Sequence, residues 1–314
     1  MSKQIAIVFP GQGSQSVGML MELAAARPLV RETFAEASAA LGTDIWQLAS
    51  QGPKELLDRT DLTQPAMLAA GVAVWRVWQE AGGAQPAWLA GHSLGEFTAL
   101  VCAGALGFAD AVALVAQRGR FMQEAVPSGA GAMAAILGLG DEEVATACAE
   151  AAQGQVLAPV NFNSPGQVVI AGEAAAVERG IAAAKARGAK RAVTLPVSVP
   201  SHCALMRPAA ERLAVALAGI DIAPPRIPVL HNASVDATRE PEAIRERLVR
   251  QLYSPVRWVE TVRRLAEEGT ILLIEAGPGK VLAGLTKRID DRLEGLAVFD
   301  PKSLAVALET TQHV

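Results

Sequence analysis

The chain has 314 residues, of which 51% are hydrophobic and 19% are charged, and its formal net charge is −4. A chain of this size can bury a large core, as one large domain or two smaller ones. The weak negative charge gives no global basic field, which argues against nucleic acid as the main partner. No apolar stretch reaches transmembrane length without glycine, proline or charge, so we expect a cytoplasmic protein with no membrane partner.

The larger part of the chain alternates short β-like runs with helical patterns. The predicted strands are residues 5–9, 88–90, 227–230 and 271–275. Helices are predicted within residues 19–41 and after Pro65. This alternation is typical of an α/β fold with a largely parallel sheet.

Residues 127–199 follow a different pattern. In order, the predicted elements are a strand at 132–139, a helix after Asp141, strands at 156–161 and 168–171, a helix at 174–187 and a strand at 191–197. The order βαββαβ is that of a ferredoxin-like domain. The segment lies between proline-containing breaks, so we interpret it as a small domain inserted into a large domain of residues 1–126 and 200–314. We expect ligand to bind in the cleft between the two domains.

Gly91-His92-Ser93-Leu94-Gly95 matches the pattern G-x-S-x-G, a sharp strand-to-helix turn that exposes a serine nucleophile. The context agrees, because an apolar run precedes the pattern and an apolar helical pattern follows it. The alternative is a glycine-rich turn whose serine only caps the helix.

A serine nucleophile needs a base, and the chain has four histidines. His92 adjoins the serine on a sharp turn and should point elsewhere, while His313 lies in the tail. His202 follows the return from the small domain, which places it beside the cleft. His231 lies at a strand end and could equally bond to a loop, so position favours His202.

Arg118 lies on the apolar stripe of a helix predicted at residues 110–124. A buried guanidinium is costly unless it is paired, and its fork fits a carboxylate in bidentate fashion. Two interpretations follow with equal weight: a structural ion pair with an internal acid, or a counter-ion for an acidic substrate.

The cysteines point to no special chemistry. Cys102, Cys148 and Cys203 are odd in number, lack CxxC spacing and have apolar neighbours. We expect neither a disulfide framework nor a metal site.

Seven short stretches together resemble the malonyl-CoA:acyl carrier protein transacylases, and the similarity runs from residue 5 to about residue 300. They are Pro10-Gly11-Gln12-Gly13-Ser14-Gln15, Thr63-Gln64-Pro65-Ala66, Gly91-His92-Ser93-Leu94-Gly95-Glu96, Gln117-Arg118-Gly119, Asn161-Phe162-Asn163-Ser164-Pro165, Val199-Pro200-Ser201-His202 and Gly277-Pro278-Gly279-Lys280. The resemblance implies an α/β-hydrolase-like core with a ferredoxin-like insert.

The resemblance also implies roles for individual residues. Ser93 would be the nucleophile and His202 its general base. The backbone N–H groups of Gln12 and Leu94 would form the oxyanion hole. An oxygen of Gln251 would orient the histidine in place of a triad acid.

The remaining implied roles concern the substrate. Arg118 would bind the free carboxylate of the malonyl group. Gln167 and Arg191 resemble contacts to the coenzyme A or phosphopantetheine arm, and we expect Ser201, beside the histidine, to line the acyl pocket.

The reaction implied is transfer of a malonyl group from malonyl-CoA to the phosphopantetheine thiol of acyl carrier protein through a Ser93 acyl-enzyme. The coenzyme A thioester is a substrate, so no cofactor is needed. We expect a monomer, because the sequence shows no coiled coil or large apolar surface stripe.

Alternatives with the same serine and histidine remain. One is a serine esterase or thioesterase with water as the acceptor, a second is a stand-alone polyketide acyltransferase loading a dedicated carrier protein, and a third is an inactive docking scaffold. The basic segment Lys185, Arg187, Lys190 and Arg191 could dock an acidic carrier or could be a solvated helix end.

Overall fold

The computed structural model describes residues 4–197 and 199–312, and within them the chain forms strands, α-helices and one short 3-10 helix. The strands are β1 Gln4–Phe9, β2 Trp88–Gly91, β3 Gly131–Leu137, β4 Leu157–Ser164, β5 Gln167–Glu173, β6 Arg191–Thr194, β7 Val229–Leu230, β8 Thr270–Ala276 and β9 Glu294–Val298.

The helices connect and cover these strands. They are α1 Met21–Ala26, α2 Leu29–Leu41, α3 Ile45–Gln51, α4 Lys54–Leu57, α5 Thr60–Glu80, α6 Leu94–Cys102, α7 Phe108–Glu124, α8 Asp141–Ala152, α9 Ala174–Ala186, α10 Arg207–Ala218, α11 Pro241–Gln251, α12 Trp258–Glu267, α13 Val281–Ile289 and α14 Pro301–Thr311, with the 3-10 helix at Ala204–Met206. None of the described helices is long and apolar enough to cross a membrane.

The larger sheet has five strands in the order β7-β2-β1-β8-β9, and every strand pair in it is parallel. Side chains of β1 alternate between two cores, as a period of two requires. Ile7 and Phe9 pack into the main cluster with α5 and α7, whereas Ala6 and Val8 pack with Trp258 on the opposite face. Both faces are therefore covered, as expected for a parallel α/β sheet.

The smaller sheet has four antiparallel strands in the order β4-β5-β3-β6. Helices α8 and α9 pack on one face of it, where Ala134, Ile136 and Ile170 form a core. With the chain order βαββαβ, this is the predicted ferredoxin-like arrangement. The domain boundaries at residues 127 and 199 stay a prediction.

The structure differs from the predicted elements in several places, and the strand predicted at 191–197 ends at Thr194. The strand at 227–230 has only the 2 residues of β7, and β9 was not predicted, because its first four residues are only partly buried or exposed. Helix α5 begins before Pro65, at Thr60. The N–H of Thr63 donates to Arg59 O at 2.7 Å, which is the i→i−4 bond expected for this earlier start.

Two main-chain hydrogen bonds join the small sheet to the larger part. Phe162 N–H donates to Val256 O at 3.0 Å, and Val256 N–H donates to Val160 O at 2.8 Å. Val256 lies between α11 and α12, just after Gln251. The segment between α11, which ends at Gln251, and α12 is thus hydrogen-bonded to strand β4.

Candidate active site

The turn between β2 and α6 presents Ser93. Its φ of 52° lies in the left-handed region, which is strained for a serine. A Cβ on Gly91 would lie 1.9 Å from the carbonyl carbon of Gly95, and a Cβ on Gly95 would lie 2.0 Å from Phe9 O. Only glycine fits at both positions, which explains the G-x-S-x-G pattern.

Side chains from distant parts of the chain hold this turn. Asn232 Oδ1 accepts from Ser93 N–H at 2.6 Å, and Asn232 Nδ2 donates to Gly91 O at 2.6 Å. Gln251 Nε2 donates to Ser93 O at 3.0 Å. The strained peptide of the serine is therefore bonded on both sides.

His202 lies against the serine hydroxyl, with Nε2 at 2.7 Å from Ser93 Oγ. Its Nδ1 lies 2.8 Å from the main-chain oxygen of Gln251, so Nδ1 carries the proton and donates it to that carbonyl. Burial, and then the charge of Arg118, lowers the pKa of His202 to about 3. The imidazole is consequently neutral at pH 7, with a free lone pair toward the hydroxyl.

The oxygen of Gln251 that orients the histidine belongs to the main chain. Its side-chain amide faces another set of groups: Oε1 accepts from Arg118, and Nε2 bonds Ser93 and Glu96. The histidine's partner is thus a neutral carbonyl, while the side chain links nucleophile and arginine.

Arg118 is only 1% exposed, yet no carboxylate of the described residues forms an ion pair with it. Its Nη1 donates to Gln64 Oε1 at 2.7 Å, its Nη2 lies 3.0 Å from Gln251 Oε1 and 3.5 Å from Ser93 Oγ, and its Nε has no partner. Burial lowers the pKa of Arg118 to about 10, and the charge of Glu96 opposes this change. The guanidinium remains charged at pH 7 with donors to spare, which disfavours the structural ion pair.

Close packing of α5 on α7 puts Gln64 beside the arginine. A Cβ on Gly119 would come within 2.6 Å of Thr60 O, so the glycine allows the two helices to approach. Their buried polar residues then meet across the contact.

Six of the predicted site residues line one cavity: Gln12, Ser93, Leu94, Arg118, Ser201 and His202. Leu94 opens α6, so its N–H has no acceptor within the helix. The side chain of Gln12 bonds Thr60 Oγ1 at 3.2 Å. The cavity thus brings together the candidate nucleophile, the candidate base, the candidate oxyanion donors and the arginine.

Gln167 and Arg191 do not line this cavity. They flank Leu137 in the neighbouring strands β5 and β6, at one end of the small sheet. Arg191 is exposed, and Gln167 Oε1 lies 3.4 Å from Arg288 Nη1. A contact between these residues and a substrate arm stays a prediction.

The other histidines have partners of their own. His92 Nε2 lies 2.9 Å from Asn163 Oδ1, and His231 Nδ1 lies 2.8 Å from Glu96 Oε1. His313 lies outside the described residues. Among the described histidines, His202 alone is bonded to Ser93.

The sequence analysis assigned no role to three residues of this network, Gln64, Glu96 and Asn232. Gln64 and Glu96 occur within the stretches that carry the resemblance, and both are polar positions in largely apolar helices. Such a position was a usable signal for a buried polar network. Asn232, in a loop, gave none.

Within the basic segment, all four side chains are exposed. Arg187 already forms an ion pair with Glu150, whereas Lys190 packs its aliphatic stem over Gly138. The segment as a docking surface stays a prediction.

Comparison with known proteins adds independent findings. The family described as an acyl transferase domain matches residues 6–296. The malonyl CoA-acyl carrier protein transacylase of Escherichia coli (strain K12) is 63% identical over 306 residues, covering 98% of this chain and 99% of that protein.

Two solved structures also match. The acyl carrier protein S-malonyltransferase of Vibrio cholerae is 60% identical with a TM-score of 0.95, covering 97% of this chain and 99% of that one. PlMCAT, a malonyl-transacylase in complex with the type II PKS acyl-carrier protein AntF, is 60% identical with a TM-score of 0.97, covering 98% and 100%. With such identity over nearly its whole length, this chain is an acyltransferase and belongs to the malonyl CoA-acyl carrier protein transacylase family.

Proposed function

We propose that this protein transfers the malonyl group of malonyl-CoA to the phosphopantetheine thiol of acyl carrier protein through an acyl-enzyme on Ser93. The observation that carries the proposal is the Ser93 Oγ, which lies 2.7 Å from His202 Nε2 and 3.5 Å from the buried, charged Arg118. A nucleophile, a neutral base and a cation without an ion-pair partner suit an acyl group that ends in a carboxylate.

In the first half-reaction, His202 Nε2 accepts the hydroxyl proton while Ser93 Oγ attacks the thioester carbonyl. The resulting histidinium is stabilised by its Nδ1–H bond to the Gln251 carbonyl. Collapse of the tetrahedral intermediate breaks the carbon–sulfur bond, and the proton passes to the departing thiolate. The malonyl ester on the serine and free coenzyme A result.

The tetrahedral oxygen carries negative charge and needs donors. The N–H of Leu94, at the start of α6, and the N–H of Gln12, in the turn after β1, are assigned this role. The position of Leu94 suits this role, since a helix N-terminus favours an anion.

Arg118 is assigned the free carboxylate of the malonyl group. A neutral acyl chain would leave the buried guanidinium without a charged group in contact, whereas a carboxylate pairs with it directly. This difference favours malonyl over acetyl and disfavours an esterase that acts on neutral esters.

In the second half-reaction, the phosphopantetheine thiol replaces coenzyme A and the same steps run in reverse. An acidic carrier would meet the exposed cations Lys190 and Arg191, so they are assigned to docking, with Gln167 beside the arm. The enzyme is proposed to act as a monomer in the cytoplasm without a cofactor. Carriers from fatty acid and polyketide pathways are both substrates to test.

Intact-mass measurement after mixing with malonyl-CoA tests the proposal. The parent should gain one malonyl group, Ser93→Ala should gain none, and added carrier protein should remove the group as malonyl-carrier. Steady release of free malonate without transfer would instead identify a hydrolase. Absence of any adduct or turnover would contradict the proposed chemistry altogether.

A further inference from the structure

Glu96 lies at the centre of the polar network behind the nucleophile. Its side chain is 0% exposed, and a buried carboxylate is costly unless donors surround it. One oxygen lies 2.8 Å from His231 Nδ1, and the other accepts from Asn232 N–H at 2.9 Å and from Gln251 Nε2 at 2.8 Å. A carboxylate only accepts hydrogen bonds, so His231 donates its Nδ1–H to Glu96. Three donors therefore satisfy Glu96.

The groups that bind Glu96 also hold the reacting centre. Asn232 bonds the N–H of Ser93, and Gln251 bonds its carbonyl oxygen. The same Gln251 amide accepts from Arg118 Nη2 at 3.0 Å. A single hydrogen-bonded residue thus connects Glu96 with Ser93, and another contact of the same kind, through Gln251, connects it with Arg118.

The Gln251 amide separates two buried opposite charges. Its oxygen faces the cation of Arg118 and its nitrogen faces the anion of Glu96. Glu96 raises the pKa of Arg118 without contacting it, against the lowering caused by burial. A direct ion pair would occupy the guanidinium fork, whereas the interposed amide leaves guanidinium donors free while the charge of Glu96 offsets part of the cost of burying Arg118.

We infer that Glu96 is a positioning residue that limits how strongly Arg118 holds a carboxylate and so sets the acyl selectivity of this site. The inference rests on the proposed function, in which Arg118 binds the free carboxylate of the acyl group. It assigns to Glu96 a role through its charge, in addition to the hydrogen bonds that it accepts.

The sign of the effect follows from Coulomb's law. A malonyl carboxylate at Arg118 is attracted by the guanidinium and repelled by Glu96 through a medium of low dielectric constant. Glu96→Gln removes the repulsion and retains the shape, so the malonyl-enzyme becomes more stable. An acetyl group carries no charge, so the stability of the acetyl-enzyme should not increase.

The test is the equilibrium constant for acyl transfer from coenzyme A to Ser93, measured by intact mass at fixed ratios of acyl-CoA to free coenzyme A. In Glu96→Gln we expect the malonyl constant to rise about fivefold, or about 1 kcal/mol, with no rise in the acetyl constant. An equilibrium constant does not change when a misplaced nucleophile merely slows the reaction. A purely structural role therefore predicts no change or equal changes for both acyl groups, and either result, or a fall in the malonyl constant, would overturn the inference.

Glu275 offers a matched control. It is a second glutamate with 0% exposure, and it accepts from Ala283 N–H at 2.8 Å, away from the cavity. Burial raises the pKa of Glu275 to about 7, so the comparison is made at pH 8, where this carboxyl is mostly ionised. Glu275→Gln then removes a buried charge that does not act on Arg118, so both constants should stay at the parent's values. A selective malonyl increase in this control would also overturn the inference.

Glu96→Asp provides the complementary change, because it keeps the charge but shortens the side chain. We expect its malonyl constant to stay within about twofold of the parent, since a Coulomb interaction varies slowly with distance. A larger fall would assign the role to shape instead. If Glu96→Gln does not fold, such a fall in Glu96→Asp still overturns the inference.

The parent and Arg118→Ala separate this inference from the proposed function. If the parent is not acylated on Ser93, or Arg118→Ala keeps the malonyl preference, the proposed function fails. If those results hold and Glu96→Gln shows no selective change, only the assignment of Glu96 fails.

Discussion

The two sides of the cleft contribute different chemistry. The side built on the parallel sheet carries Ser93 and Arg118 within one hydrogen-bonded network. The side built on the antiparallel sheet contributes Met133, Leu195 and Val197 to the cavity, together with the amide of Asn161. None of these four side chains is charged. Changes to the proposed reacting groups and changes to the shape of the cavity can therefore be made separately, and this separation can be tested.

Ser93→Ala should have the largest effect, because it removes the proposed nucleophile and leaves both walls of the cleft in place. We expect acyl transfer to fall by at least about 10³-fold. The measurement is transfer of labelled malonyl to carrier protein, with thermal unfolding as the control for folding. Substantial remaining transfer would mean that another group carries the acyl chain and that the geometry of Ser93 is incidental.

Arg118→Ala tests the cation on the side of the cleft that is built on the parallel sheet. The loss of a buried cation should lower kcat/KM for malonyl-CoA by about 10²–10³-fold and improve acetyl-CoA relative to it. Arg118→Lys should lie between, because it keeps the charge but not the fork.

Arg76→Ala is the matched control for this change. Arg76 pairs with Glu36 and packs over Phe108, outside the cavity. It should leave the ratio of malonyl to acetyl rates unchanged. Equal losses with both acyl groups in Arg118→Ala would contradict a role in carboxylate recognition.

The predictable part of the fold was the part with strong local patterns. The buried strands β1, β2 and β8 appeared as apolar runs, and the small sheet appeared as an ordered series of elements. Strand β9 did not, because its partly exposed sequence resembles a loop as much as a strand. Its pairing with β8 is decided by tertiary contacts, which override local preference.

The site shows the same limit. Ser93 and His202 were predicted from local context. A cation on an apolar stripe marked Arg118, but its role was assigned only by the resemblance. Asn232, in contrast, bonds a residue 139 positions away, and a loop asparagine carries no mark of that contact. Glu96, an acid in a largely apolar helix, offered a signal that the sequence analysis did not use, and its partners on other elements gave none.

The outer surface of the small-sheet side should affect the carrier alone. Lys190→Glu with Arg191→Glu should raise KM for an acidic carrier protein about tenfold at low salt, by loss of electrostatic attraction. Transfer to a small thiol should not change. Lys302→Glu, an exposed reversal on α14, is the matched control. Equal loss with both acceptors, or no salt dependence in the parent, would exclude this surface as the docking site.

The smallest effect is expected in the pH dependence of the acylation rate, which should be nearly flat. A histidine with an ordinary pKa of about 6.5 would be about 97% protonated at pH 5, which would slow the reaction about 30-fold. Burial, with the charge of Arg118, lowers the pKa of His202 to about 3. Single-turnover acylation at saturating malonyl-CoA should therefore stay constant from pH 8 to pH 5 and fall only at more acidic values.

The stability of the fold should respond to pH where the rate does not. Because the pKa of His202 is lower in the folded than in the unfolded chain, the unfolded chain binds the extra proton below pH 6.5, and this group's contribution to stability falls as pH decreases from there. Circular dichroism at each pH separates unfolding from titration of the base. In Arg118→Ala the kinetic inflection should move upward, since one cause of the lowered pKa is removed. An inflection near pH 6.5 in the parent would mean that His202 is exposed to solvent. It would contradict a buried histidine on the side of the cleft that is built on the parallel sheet.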